Sequence, residues 1–128
     1  MTPADQGVLA ARLANASLAK AIGLDVVTIP GDATIDVAKD ASYYLTKGSA
    51  AAIALPLPGA GNIGRVVQFT GGSDFAHVVT AASTGVHDGT TGGHGTLTSP
   101  AFQGGTLTLR AVTAAKWNVI SNNLWVIT

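Results

Sequence analysis

The chain has 128 residues, seven basic and seven acidic side chains and a formal net charge of zero. Only 11% of its residues are charged, against roughly 25% in ordinary globular proteins. That balance excludes the clustered Lys and Arg that phosphate-driven nucleic-acid binding requires. The absence of cysteine excludes a disulfide framework and a thiolate metal site.

The length predicts a single β domain over residues 30–128, preceded by an N-terminal arm or helix over residues 1–29. Thr2-Pro3-Ala4-Asp5 has the form of a helix start, with a hydroxyl N-cap, a proline at the first helical position and a carboxylate in the first turn. Leu9, Leu13 and Ile22, with alanines between them, then make a weak apolar stripe ending near Gly23. Two readings stand: a helix packed on its own domain, or an arm that reaches a neighbouring subunit and orders on contact. Asp5, Arg12 and Lys20 interrupt the apolar run, so the segment is read as neither a signal peptide nor a membrane span.

After a turn at Ile29-Pro30-Gly31-Asp32, strand signals continue to the end of the chain. All seven acidic residues are Asp, which suits turns better than helix interiors. Thr34-Ile35-Asp36-Val37 alternates, Tyr43-Tyr44-Leu45 is a short apolar run, and Ala51–Leu55 leads into Pro56-Leu57-Pro58-Gly59, where proline forces an edge or a turn. Arg65–Phe69 and Phe75–Thr80 flank a glycine turn at 71–74. Residues 83–105 read as a glycine-rich loop, and Thr106–Ala111 gives the cleanest alternation, with Leu107, Leu109 and Ala111 on one face. Trp117–Thr128 holds both tryptophans and reads as a hairpin turning at Asn122-Asn123. Short strands with turns every eight to twelve residues predict a mainly β fold, a compact antiparallel β-sandwich or barrel with an N-terminal helical or extended arm.

Few residues offer chemistry. His77 shares a strand face with Phe75 and Val79, which suits a packed histidine or one at a subunit interface. His87, Asp88 and His94 have metal-ligand types, but their spacing matches no tight motif and they sit in a glycine-rich loop. Gly59-Ala60-Gly61-Asn62-Ile63-Gly64 has the letters of a dinucleotide fingerprint, yet it follows Pro-Leu-Pro and precedes a strand pattern, so it reads as a turn. Trp117 and Trp125 read as core, with a sugar-stacking surface as the alternative. No catalytic, cofactor-binding or metal-ligating residue is assigned, and the chain is not read as an enzyme; the candidate capsid or subunit contacts are Leu9, Leu13, Ile22 and His77.

Five segments together carry a family resemblance: Ile53-Ala54-Leu55-Pro56, Val66-Val67-Gln68-Phe69, Ala76-His77-Val78-Val79-Thr80, Gly105-Thr106-Leu107-Thr108-Leu109-Arg110 and Lys116-Trp117-Asn118-Val119-Ile120. In these the chain resembles the small capsid decoration, or head-stabilising, proteins of tailed bacteriophages. The resemblance implies a β-rich virion structural protein on the capsid surface, a homotrimer bound to the major capsid protein of an icosahedral head, without cofactor, nucleic acid or membrane. The alternative is a receptor- or glycan-binding knob of a phage fibre or spike, with the 83–105 loop and the tryptophans as its surface.

Overall fold

The computed structural model describes residues 25–90 and 92–128. Residues 1–24 of the expected helical or extended arm, and with them Leu9, Leu13 and Ile22, lie outside the described residues, while Val26–Ile29, expected at the end of the arm, pairs as a strand of the β domain.

The described chain is mainly β and forms two mixed sheets. Its strands are β1 (Val26–Ile29), β2 (Ala33–Thr34), β3 (Ala41–Leu45), β4 (Ala52–Leu55), β5 (Val66–Gly71), β6 (Val78–Ala81), β7 (Val86–His87), β8 (Thr96–Thr98), β9 (Thr106–Thr113), β10 (Lys116–Asn123) and β11 (Val126–Ile127). Six make one sheet in the order β1-β3-β5-β9-β10-β7, and five make the other in the order β11-β8-β6-β4-β2.

A wholly antiparallel arrangement was expected, and half of the molecule departs from it. β1, β3 and β5 pair in parallel, as do β2, β4 and β6. The turns after Ile29, Leu45, Leu55 and Gly71 pass the chain across to the other sheet instead of folding it back beside the strand just laid. Each strand therefore meets the next but one, which arrives in the same direction. From β7 onward the chain closes these two parallel stacks. β9 runs antiparallel to β5 and β10, β8 antiparallel to β6 and β11, and the short β7 lies parallel to β10 at the sheet edge.

Three local expectations change with this topology. The turn at 71–74 joins two sheets and makes no hairpin. The 83–105 segment contains β7 and β8. The terminal hairpin is displaced by one strand: Ala114-Ala115 is the turn between β9 and β10, and β10 runs unbroken through Asn122 and Asn123. Asn122 instead clamps the next corner, its Nδ2 donating to the Trp125 carbonyl and its Oδ1 accepting from Trp125 N–H, both at 2.9 Å. The glycine motif at 59–64 is a turn, as expected, with a single turn of 3-10 helix over Ala60–Asn62 leading into β5.

One core is drawn from both sheets, with Tyr43, Phe69, Leu107, Leu109 and Trp117 from the larger and Ile53, Leu55, Val79 and Leu97 from the smaller. Alternation selects them, as in Thr106–Ala111, where the apolar members are buried and the Thr and Arg members face outward. Phe69 is central, stacked on Tyr43 at 5.7 Å and tilted against Trp125 at 6.1 Å between ring centroids. Burial of each such side chain contributes about 1.5–3 kcal/mol.

Candidate functional site

His77 is the most enclosed titratable side chain among the described residues, with no exposed surface. It stands just before β6, where the chain crosses between sheets and leaves backbone groups without ladder partners. Its Nδ1 accepts from Ala51 N–H at 3.0 Å, its backbone N–H donates to Ser99 Oγ at 2.8 Å, and Ser99 N–H returns a 2.9 Å bond to its carbonyl. Ser73 Oγ donates to the Lys47 carbonyl at 2.6 Å and lies 2.9 Å from Nε2. With Nδ1 accepting and the Ser73 proton committed elsewhere, Nε2 carries the ring proton and donates it to Ser73. Burial first, and the Lys47 charge second, lower the pKa of this imidazole, so the neutral form holds the corner together. Because both ring nitrogens are engaged inside the protomer, the intersubunit contact expected of His77 has no exposed side chain to make it.

The Asp88 and His94 side chains do meet. His94 Nε2 is 3.1 Å from Asp88 Oδ1, which also accepts from Thr90 N–H at 3.0 Å and Thr90 Oγ at 2.5 Å. The hydroxyl and amide of Thr90 lower the Asp88 pKa, followed by the attraction of His94. His87 does not join them; it sits in β7 opposite Asn118. Among the described residues no three metal-ligand groups converge. The clasp holds a loop that packs against a strained turn, Ser83 and Thr84 having φ of 53° and 48°. A Cβ on Gly93 would lie 2.1 Å from the Thr84 carbonyl oxygen, so only glycine fits there. The sequence showed the Asp88 and His94 ligand types but not their pairing partner, Thr90, and it gave no signal for Ser73 and Ser99 around His77.

Neither tryptophan offers a ring face to a sugar. Trp117 is fully buried, its Nε1 donating to the Pro56 carbonyl at 3.0 Å, and Trp125 is 4% exposed.

What the strands offer outward is breadth without charge. Arg110 and Lys116 are the only charged residues in the eleven described strands. On the larger sheet Ser42 Oγ donates to Gln68 Oε1 at 2.9 Å, Gln68 Nε2 donates to Thr108 Oγ at 3.0 Å, and the Thr70 and Thr106 hydroxyls lie 3.2 Å apart. These bonds run across three strands and satisfy the polar groups within the face itself. On the smaller sheet the outward row Thr34, Ala54, Thr80 borders a shallow depression of about 430 Å³. At its rim Asp32 Oδ1 accepts from Lys47 Nζ and Ala52 N–H, each at 2.8 Å.

The chain matches no protein-family model and no curated protein.

Proposed function

We propose that this protein is a virion structural subunit, a homotrimeric decoration protein of β-sandwich form that binds the major capsid protein on the surface of an icosahedral phage head and stabilises the shell. The observation that carries the reading is the pair of broad, nearly uncharged sheet faces, where hydroxyl, amide and small side chains stand beside exposed Val26, Val112, Ile120 and Val126, with a single outward Arg and a Lys at a strand end. A charged surface loses several kcal/mol per ion on being taken from water. A face whose polar groups already bond to one another, as Ser42, Gln68 and Thr108 do, sheds its water at little cost. Such faces suit a protein that is covered over large areas and performs no chemistry. Stabilisation then follows from mass action, since a subunit that binds only the assembled shell shifts the equilibrium away from disruption.

The test is addition of purified protein to expanded phage heads stripped of their decoration. Saturable addition in threes, with greater resistance of the heads to chelator or heat, is the expected result. Heads that bind nothing, together with a monomeric solution mass at micromolar concentration, would sink the reading.

A further inference from the structure

The two ends of the strand axis differ in character. Asp25, Asp36, Lys39, Asp40, Arg65 and Lys116 flank the starts of β1, β3 and β5 and the β9–β10 turn, so charge gathers at one end. The other end is formed by the connections at 30–32 and 46–51, which carry Asp32 and Lys47, and by those at 72–77, 99–105 and 124–125. Here Phe102 is 75% exposed, Leu124 72%, Val126 59% and Phe75 41%. The connections at 72–77 and 99–105 are one body: Gln103 N–H donates to Asp74 Oδ1 at 3.3 Å, Ser99 Oγ donates to the Phe75 carbonyl at 3.3 Å, and Gly104 N–H donates to the Gly71 carbonyl at 3.0 Å; the connection at 124–125 adjoins them through the Asn123–Thr106 and Val126–Thr98 pairs. The apolar side chains are therefore presented on a fixed frame.

Leu124 is the most telling of them. It has φ of 71°, a left-handed conformation that favours Gly or Asn, and the Asn122 side chain holds it there through both bonds to Trp125. A leucine is strained at such a corner, and its exposed side chain gives little packing to its own protomer in return. A backbone outlier of this kind, carrying an apolar side chain into water, points to a use outside the protomer.

We propose that this apolar end is the surface through which copies of the chain associate, Phe102 of one copy packing against Leu124 of the next. The occupant follows from charge. At this end Asp32 is paired with Lys47 at 2.8 Å, and Asp74, which accepts from the Gln103 amide at 3.3 Å, is the one carboxylate without an ion-pair partner among the described residues. Identical ends therefore bring together a single unpaired carboxylate each, beside a wholly apolar cluster that offers a strongly charged partner little to pair with. The exposed apolar area of these four side chains is on the order of 400 Å², the size of the largest patch on a typical soluble monomer. Paired with its equivalent and a polar rim, it reaches roughly the 1,000 Å² that a specific contact needs. A contact between Phe102 of one copy and Leu124 of another is met in a reciprocal pair and in a closed ring alike. The choice of a ring of three rests on the decoration reading.

The experiment is solution mass by light scattering over a concentration series for the wild-type protein, Phe102→Ser, Leu124→Gly and, as a control away from this end, Ile120→Ser. Leu124→Gly relieves the backbone and so cannot be dismissed as a folding failure; circular dichroism checks each fold. The expected result is an oligomeric wild type and Ile120→Ser variant, with association of the other two weakened about tenfold or more. A monomeric wild type at every concentration, an unchanged mass for Phe102→Ser and Leu124→Gly, or equal loss in Ile120→Ser would each overturn the proposal. If the variants lose association but the wild-type oligomer never adds to heads, the surface stands and the decoration reading falls; the converse outcome separates them in the other direction.

Discussion

The chain from β1 to β6 and the chain from β7 to β11 build the same two sheets by different means. The first winds, placing successive strands in alternate sheets and pairing each with the next but one, so Val26 meets Ser42 and Ala41 meets Val67. The second still crosses between the sheets but pairs mostly antiparallel, and it folds back once, in the local β9–β10 hairpin where Lys116 meets Thr113. Winding leaves corners whose backbone groups have no ladder partner. His77, Ser73 and Ser99 are spent on those corners, linking Ala51, Lys47 and Phe75 across the crossings. The second half needs less of this, and places its bulk in tryptophan instead. Buried polar side chains here are thus a consequence of topology.

The sharpest way to break the comparison is to cut where the halves join. Phe69 belongs to the winding half and touches Trp125 of the closing half. Phe69→Ala is expected to cost about 3–5 kcal/mol, read by denaturant unfolding as one shifted transition. Two separated transitions would mean that the halves are independent units. Next in size is His77→Leu, which leaves Ala51 N–H buried without its acceptor and costs about 2–3 kcal/mol. Its pH signature identifies the cause. The native pKa of His77 lies below its ordinary value of 6.5, so the unfolded chain takes up the proton first. The stability contributed by the neutral ring is whole above that value and is lost as the pH falls from it towards the depressed native value. The wild type should therefore lose stability across this window more steeply than His77→Leu; equal slopes would show that the ring titrates without consequence for the fold.

The same comparison separates what the sequence made legible from what it did not. Alternation in Thr106–Ala111 set the buried face of β9 correctly, because period two decides which side of a strand is apolar. It does not decide which strand lies alongside. The Tyr43-Tyr44-Leu45 and Val66–Phe69 runs were visible, while their parallel pairing was not, since nothing in an apolar run records whether the next turn folds back or crosses over. The Asn122-Asn123 pair misled for a related reason: asparagine side chains bond nearby backbone in several geometries, and here Asn122 braces the corner from within the strand while Leu124 supplies the positive φ. Of the candidate site, His77 was legible as a residue but not its bonds, because Ser99 lies 22 positions away.

The two tryptophans sharpen the contrast at the next level down. Trp117 donates its indole proton to Pro56, whereas Trp125 Nε1 is buried with no partner among the described residues. Phenylalanine at 117 loses ring area and leaves a carbonyl unbonded; at 125 it loses ring area and removes an unsatisfied donor. Trp117→Phe should therefore be the more damaging by about 1–2 kcal/mol, measured by paired urea titrations. Equal costs would mean that the Trp125 proton is satisfied in solution.

The smallest effect is expected at the Asp88 clasp. Asp88→Asn keeps an acceptor for Thr90 but removes the charge that draws in His94. Global stability should hardly move, because asparagine keeps the Thr90 bonds and the half-buried clasp ties down one loop only. Local order should respond, since Gly93 sits so tightly under Thr84 that a small displacement of the loop opens the Val86–His94 bridge. Faster amide exchange at Val86 and His94, whose N–H groups cross that bridge, with an unchanged melting temperature, is the expected outcome. A large loss of stability would instead make this clasp part of what holds β7 to the sheet, and would move the boundary between the two halves to the strained turn at Ser83.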